Sequence, residues 1–277
     1  MGEASGKTFV VTGANSGVGL ETARDRAKGE RAAADVRDGT GGEVRLVMLD
    51  LADLGDVARA AEELAALPRL DVLVNNAGLG TEKEAQTKDG FELTMGTNHV
   101  GPFALTEALL PRLLETAERH GEARVVNVSS LAHRVAFEFD PDRVASPTPP
   151  RGAPHMAYAH SKLANLLHAR ELAFRFGANG LRAHAVHPGY VASNFFRPAH
   201  ASAPMRAMNA VMRPIQVSPE KGARPSLHCA LSEEAGRLNG RYWVKERTKA
   251  PRLPDDVEAV QRRLWEATEA AIARARA

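Results

Sequence analysis

Thr8-Phe9-Val10-Val11-Thr12 is a β-branched run that ends in a glycine-rich turn, after which Leu20-Glu21-Thr22-Ala23 opens a helix. This strand-turn-helix sets the tightest limit on what the chain can become. Gly13, Gly17 and Gly19 allow a tight turn and a close approach of backbone to a pyrophosphate, with Asn15, Ser16 and Val18 completing the loop. A pyrophosphate held there rests on the amides and the positive dipole end of the helix. A glycine turn after a strand also serves as a plain connector, but the context that dinucleotide binding demands is present. Three residues separate Gly13 from Gly17, a wider spacing than the compact G-x-G-x-x-G fingerprint.

Further apolar runs follow at Val44–Leu49, Asp71–Asn75, Arg124–Val128, Arg182–His187 and Arg241–Val244, and each reads as a strand. Helical patterns fall between them: Asp53 to Leu67, Gly90 to Glu118 with a kink near Gly101-Pro102, a helix ending near Phe176, one beginning at Ser218-Pro219-Glu220, and a charged terminal helix from Pro254 to Ala275. The alternation predicts an α/β domain, a mainly parallel doubly wound sheet flanked by helices. With 277 residues, 44% of them hydrophobic and 25% charged, the chain is long enough for one such domain with an ample core.

The net charge of +2 is spread through interspersed acids and bases, which argues against nucleic acid as a partner. The one cysteine, Cys229, has no partner for an internal disulfide and reads as a buried small residue in a reducing compartment. No apolar run approaches the ~20 residues that span a bilayer, and Met1 to Lys7 is too polar for a signal peptide. The expectation is a cytoplasmic protein without a membrane partner.

Chemistry concentrates in His155-Met156-Ala157-Tyr158-Ala159-His160-Ser161-Lys162. Residues four apart share a helix face, so Lys162 places an ammonium beside the Tyr158 phenol and should lower its pKa from about 10 towards neutrality. An ordinary Tyr/Lys pair on a solvated face has the same spacing. Upstream, however, stand Val126-Asn127-Val128-Ser129-Ser130, Asn98-His99-Val100-Gly101, Asn75-Asn76-Ala77-Gly78 and Thr12 to Gly19, each beside a strand or helix. In this order and spacing they resemble the short-chain dehydrogenase/reductase family, from Lys7 to about Ala267. TGANSGVGLETA, the long gap between Ser130 and Tyr158, and GRYWV with RRLWEATE look most like its retinol-dehydrogenase-like branch.

The resemblance implies a single-domain Rossmann fold over residues 1–277 and hydride transfer between the nicotinamide of NADP or NAD and a small-molecule alcohol or carbonyl substrate. Tyr158 would be general acid or base, Lys162 would tune it and bind ribose hydroxyls, Ser130 would hold the substrate oxygen, and Asn98 would hold a relay water. Ser130 is assigned over Ser129 by motif register. Asp50 and Leu51 resemble the adenine contact, although Asp50 also suits the start of a helix. Asn76, Ala77 and Gly78 would lie against the cofactor. Pro188, Gly189, Val191 and Ser193 would clasp the carboxamide, with Ser193 replacing the family's threonine and keeping its hydroxyl. Residues 194–217 would cover the substrate, and Phe195, Phe196, Met205, Met208 and Met212 suit either an apolar pocket or plain core.

One segment departs from the family. Only 24 residues, Leu20 to Glu43, separate the glycine turn from Val44–Leu49. A crossover needs about a dozen and a βαβ unit about 30, so two crossovers and a strand do not fit. The run Arg24 to Arg37 resembles the family's segment just after the second strand, so that strand is expected to be missing. Making Ala32 to Val36 a poor second strand is the alternative, which its alanine content disfavours. Arg24 resembles the family's NADP-selecting arginine, while Asp35 and Asp38 stand near the distance of an NAD-selecting acid. A non-catalytic dinucleotide-binding or scaffold protein with impaired adenosine recognition is therefore the competing reading. His133, His155 and His160 lack metal-ligand spacing and read as surface histidines. Ala132 to Pro154 reads as a long irregular loop, and a homo-oligomer is compatible with this sequence.

Overall fold

The computed structural model describes residues 4–13, 26–150, 153–191 and 216–277. Among these, β1 (Phe9–Val11), β2 (Val72–Asn75), β3 (Ala123–Val128), β4 (Leu181–His187), β5 (Tyr242–Val244) and β6 (Arg247–Thr248) form one sheet in sequential order. The first five strands are parallel and β6 pairs antiparallel with β5. Registers such as Val11↔Val74, Asn75↔Asn127 and Asn127↔Ala185 bring the carboxyl ends of the strands to one edge, where sites in open parallel sheets form.

Among the described residues the α-helices are α1 (Arg26–Thr40), α2 (Leu54–Ala65), α3 (Leu93–Met95), α4 (Gly101–His120), α5 (Pro154–Phe176), α6 (Pro219–Leu231), α7 (Glu233–Arg237) and α8 (Val257–Arg276). Strand residues alternate between two apolar layers, as the two-residue period requires. Leu73, Val125 and Ala183 face α4 and α5 with Leu105, Leu109, Leu163 and Leu167. Val72, Val74, Val126 and Val186 face the opposite layer with Cys229, Ala230 and Trp243. Cys229 is thus a buried core residue, and its burial pushes the thiol pKa up. Trp265 of α8 packs edge-on against Phe103 at 4.8 Å and seals the outer side of α4 and α5.

Two expectations change here. Ala32 to Val36 is helical within α1, so the alternative second strand does not exist. Val44–Leu49 is no strand either: residues 41–50 carry no ladder pairing, and among the described residues β1 is the sheet's edge on that side. An extended run becomes a strand only by pairing, and among the described residues it has no ladder neighbour. Side chains hold it instead. Arg45 pairs with Glu63 at 2.6 Å, the Asp50 N–H donates to the Asp56 carboxylate at 2.6 Å, and Val47 and Leu49 pack on the main core.

Glu107 on α4 is a strained spot in this packing. Its Oε1 is buried without a hydrogen-bond partner, and burial, reinforced by Glu269 against the opposing pull of Arg175, pushes its carboxyl from 4.5 up to about 7. The folded chain therefore holds a proton that the unfolded chain has released, so stability falls as pH rises from 4.5 through about 7. Glu107→Gln is expected to flatten that decline in urea midpoints; an unchanged pH slope would show that Glu107 ionises freely.

Candidate active site

The cofactor-facing turn is built from backbone. Thr12 Oγ1 accepts from the N–H groups of Asn76 and Ala77, both at 3.0 Å, and Asn76 Nδ2 donates to the Thr12 carbonyl at 2.9 Å. Gly13 sits at φ +66°, and a Cβ there would stand 3.0 Å from Ala77 Cα, so only glycine lets the two turns meet. Below them Asn75 Nδ2 donates to Thr106 Oγ1 and to Asn127 Oδ1, both at 2.9 Å, tying β2 to α4 and β3.

Asn98 lies in a π-helical turn, Gly96–Val100, that joins α3 to α4. The irregularity thus begins five residues before the expected Gly101-Pro102 kink. A wide turn rotates one side chain out of register with the rest of the helix, and here it carries the fully buried Asn98 amide inward. Asn98 Nδ2 donates to the Leu79 carbonyl at 2.8 Å and to Ser161 Oγ at 3.0 Å, and Asn98 Oδ1 accepts from the Leu79 N–H at 2.7 Å. Ser161 passes the link on, donating to the Tyr158 carbonyl at 2.9 Å. Gly78 closes the group: a Cβ there would fall 3.1 Å from Asn98 Oδ1 and 3.2 Å from Lys162 Nζ.

Lys162 and Tyr158 occupy successive turns of α5, with Nζ 5.5 Å from the ring centroid. Nζ donates to the Val128 carbonyl at 3.1 Å, an acceptor it shares with Asn165 Nδ2 at 3.2 Å. Burial pushes Lys162 down to about 8. It pushes Tyr158 up to about 12, and the hydrogen bond to Ser130 draws the phenol back only in part. The expected lowering of the tyrosine by its lysine is therefore overturned for the protein alone, because removing a phenolate from water costs more than the Ser130 hydrogen bond returns.

Ser130 stands half-buried beyond the carboxyl end of β3, where its Oγ accepts from the Ala132 N–H at 3.2 Å. The Ser129 hydroxyl is buried and donates to the Lys162 carbonyl at 2.6 Å, which leaves it structural. Asn98, Ser130, Tyr158 and Lys162 thus converge. Ser161, Ser129 and Asn165 brace them; the sequence offers Ser129 only as the alternative to Ser130, and for Ser161 and Asn165 its one signal is a small or amide side chain on the helix that carries Tyr158 and Lys162.

The remaining candidates divide. Asp50 Oδ1 accepts from the Ala52 N–H at 3.0 Å in the turn before α2, whose N-cap is Asp53 rather than Asp50, and Leu51 is buried in the core. Gly189, at φ +89°, follows Pro188, and Val191 bridges to Val217 in parallel fashion. Asn15, Ser16, Gly17, Val18, Gly19, Arg24, Ser193 and residues 194–215 lie outside the described residues. His155 is exposed as expected, but His133 and His160 are buried. His133 Nδ1 lies 2.6 Å from the Ser130 carbonyl and its Nε2 accepts from the Arg252 N–H at 3.3 Å, while His160 Nε2 meets the Phe137 carbonyl at 3.1 Å. The loop that a sequence leaves open folds back over both rings. Among the described residues no group of histidines, cysteines and acids could hold a metal, and no helix is long and apolar enough to cross a membrane.

An open parallel sheet whose carboxyl edge gathers a tyrosine, a lysine and a serine beside a glycine-laced turn defines a dinucleotide-dependent oxidoreductase. The family model for short chain dehydrogenases matches residues 7–203, and the chain belongs to that family. It is 40% identical over 278 residues to retinol dehydrogenase 12 of Homo sapiens, covering 94% of this chain and 84% of that one. A solved structure of an uncharacterized protein from Mycobacterium Paratuberculosis superposes with TM-score 0.71 at 34% identity, covering 98% of this chain and 95% of the other. A protein from Beutenbergia cavernae described as an NAD(P) dependent gluconate 5-dehydrogenase, with NADP bound at low occupancy, gives TM-score 0.65 at 28% identity over 87% of this chain and 95% of its own.

Proposed function

We propose that this protein is an NADP-preferring reductase of apolar aldehydes or ketones, reversible to the alcohol, with Tyr158 as general acid, Lys162 as its charged neighbour, Ser130 as holder of the substrate oxygen and Asn98 as anchor of the proton path. The observation that carries it is the meeting of the Tyr158 phenol, the Ser130 hydroxyl and the Lys162 ammonium at one edge of the sheet. At neutral pH the Tyr158 phenol carries the proton that a general acid must hold before it can give it to a carbonyl oxygen.

The residues present fit a dinucleotide. The Gly13–Ala77 contact and the space over Gly78 form a groove that any side chain would fill, and Lys162 has N–H groups beyond the one given to Val128. Gly13, Asn76, Ala77 and Gly78 would line it, Lys162 would meet ribose hydroxyls, and Pro188, Gly189 and Val191 would face the carboxamide. The nicotinamide, when bound, supplies the hydride. Ser130 then donates to the substrate oxygen and stabilises its developing charge, and the Tyr158 O–H passes its proton to that oxygen. Arg24, by its likeness to the family's NADP-selecting arginine, and the NADP in the Beutenbergia relative support NADP. The retinol dehydrogenase relative supports an apolar alcohol or carbonyl substrate.

The position of Val44–Leu49 off the sheet favours a second reading, in which adenosine recognition is lost and the protein binds without turning over. Calorimetric titration with NADPH, NADH and reduced nicotinamide mononucleotide separates the two. The reductase reading expects NADPH to bind most tightly and to be consumed with an apolar aldehyde. No binding of any of the three at millimolar concentration overturns it, and a mononucleotide that equals NADPH in affinity establishes the lost adenosine site.

A further inference from the structure

A cavity of about 270 Å³ opens between α5, the β4–β5 border and the residues that follow β6. None of Asn98, Ser130, Tyr158 or Lys162 lines it, and the nearest of its residues on α5, Leu166, stands one turn beyond Lys162. Its inner wall is apolar, made by the buried Leu166 and Ala185 with Pro251. Its outer wall carries three cations, Arg170 from α5, Arg241 from the start of β5, and Lys249 after β6.

These charges are poorly compensated. None of the three forms an ion pair among the described residues; Arg170 Nε donates to the neutral Gln261 Oε1 at 3.2 Å, and Glu258 is the acid whose charge reaches it. Burial lowers the Arg170 pKa, Glu258 works against this, and the charge of Arg241 adds to the lowering, so two guanidinium groups repel across the opening. Tyr242 completes the wall, and its hydroxyl is buried without a hydrogen-bond partner. Cations converging on a concave, partly apolar wall with donors to spare match an anion that brings its own apolar body.

We propose that this cavity binds a small organic anion, a carboxylate or phosphate monoester on a compact apolar group, with Arg170, Arg241 and Lys249 around the head group and Leu166, Ala185 and Pro251 against the body. Arg241 and Lys249 are exposed, and among the described residues their side chains make no hydrogen bond or ion pair, so the double variant R241Q/K249Q should fold as the parent does. Both residues lie outside the cofactor groove, so phosphate entering that groove binds parent and variant alike.

The test is calorimetric titration of parent and variant with phenyl phosphate, benzoate, inorganic phosphate and benzyl alcohol at low ionic strength. Phenyl phosphate or benzoate should bind the parent more tightly than inorganic phosphate, and the variant should lose at least roughly tenfold in that affinity. Whichever of the two binds better assigns the head group. Equal affinities for parent and variant, benzyl alcohol binding as well as the anions, or no binding of either organic anion at about 10 mM, a concentration that would detect even a weak site, would each overturn the proposal.

Discussion

Tyr158→Phe is expected to lower kcat by roughly 10²–10⁴-fold, the usual worth of a positioned proton donor, while the Kd for NADPH stays nearly unchanged. The phenyl ring keeps the packing against Lys162, whose Nζ lies 5.5 Å from its centroid, and removes only the O–H. Loss of that hydroxyl deprives the substrate oxygen of its proton and Ser130 of its partner. Single-turnover measurement of NADPH oxidation by an apolar aldehyde, beside a cofactor titration, separates chemistry from binding. A variant as fast as the parent would remove Tyr158 from the reaction; a variant that loses cofactor in proportion to rate would make it a binding residue.

The same tyrosine shows what a sequence can and cannot tell. Its spacing from Lys162 is local, and a four-residue offset on a helix puts the two on one face whatever lies around them. The direction of its pKa is not local. It depends on how much water the fold removes, and here burial outweighs the Ser130 hydrogen bond. The strands at Val72–Asn75, Ala123–Val128 and Leu181–His187 were legible because buried parallel strands read as continuous apolar runs. Val44–Leu49 has the same composition yet pairs with no strand among the described residues, since a ladder needs a neighbour as well as an apolar run. Asn98 could be named from its motif, but the π-turn that aims it came from packing against Leu79 and Ser161, residues far from it in sequence. His133 and His160 failed for the same reason, because burial by a returning loop leaves no mark on local pattern.

Lys162→Met should abolish turnover and yet make the fold more stable, a combination that a purely structural lysine would not give. The ammonium is 3% exposed, and among the described residues its one hydrogen-bond acceptor is the Val128 carbonyl. Burial pushes its pKa from 10.5 down to about 8, so the folded chain holds this proton less firmly than the unfolded chain does. Below pH 8 the charged side chain therefore costs stability, on the order of 3 kcal/mol at 1.36 kcal/mol per unit. The cost is relieved as pH rises from about 8 to 10.5, where the folded chain has already given up the proton and the unfolded chain has not. Methionine fills nearly the same space without charge, and Val128 keeps the Asn165 amide at 3.2 Å as its donor. Urea midpoints for the variant should thus exceed the parent's near neutrality and converge with them above pH 10.5. Turnover should vanish because the phenol loses the neighbouring charge that favours its ionised form after proton transfer, and the ribose hydroxyls lose their donor. A less stable variant would show that the ammonium braces Val128 more than burial penalises it, and retained turnover would place the proton path elsewhere.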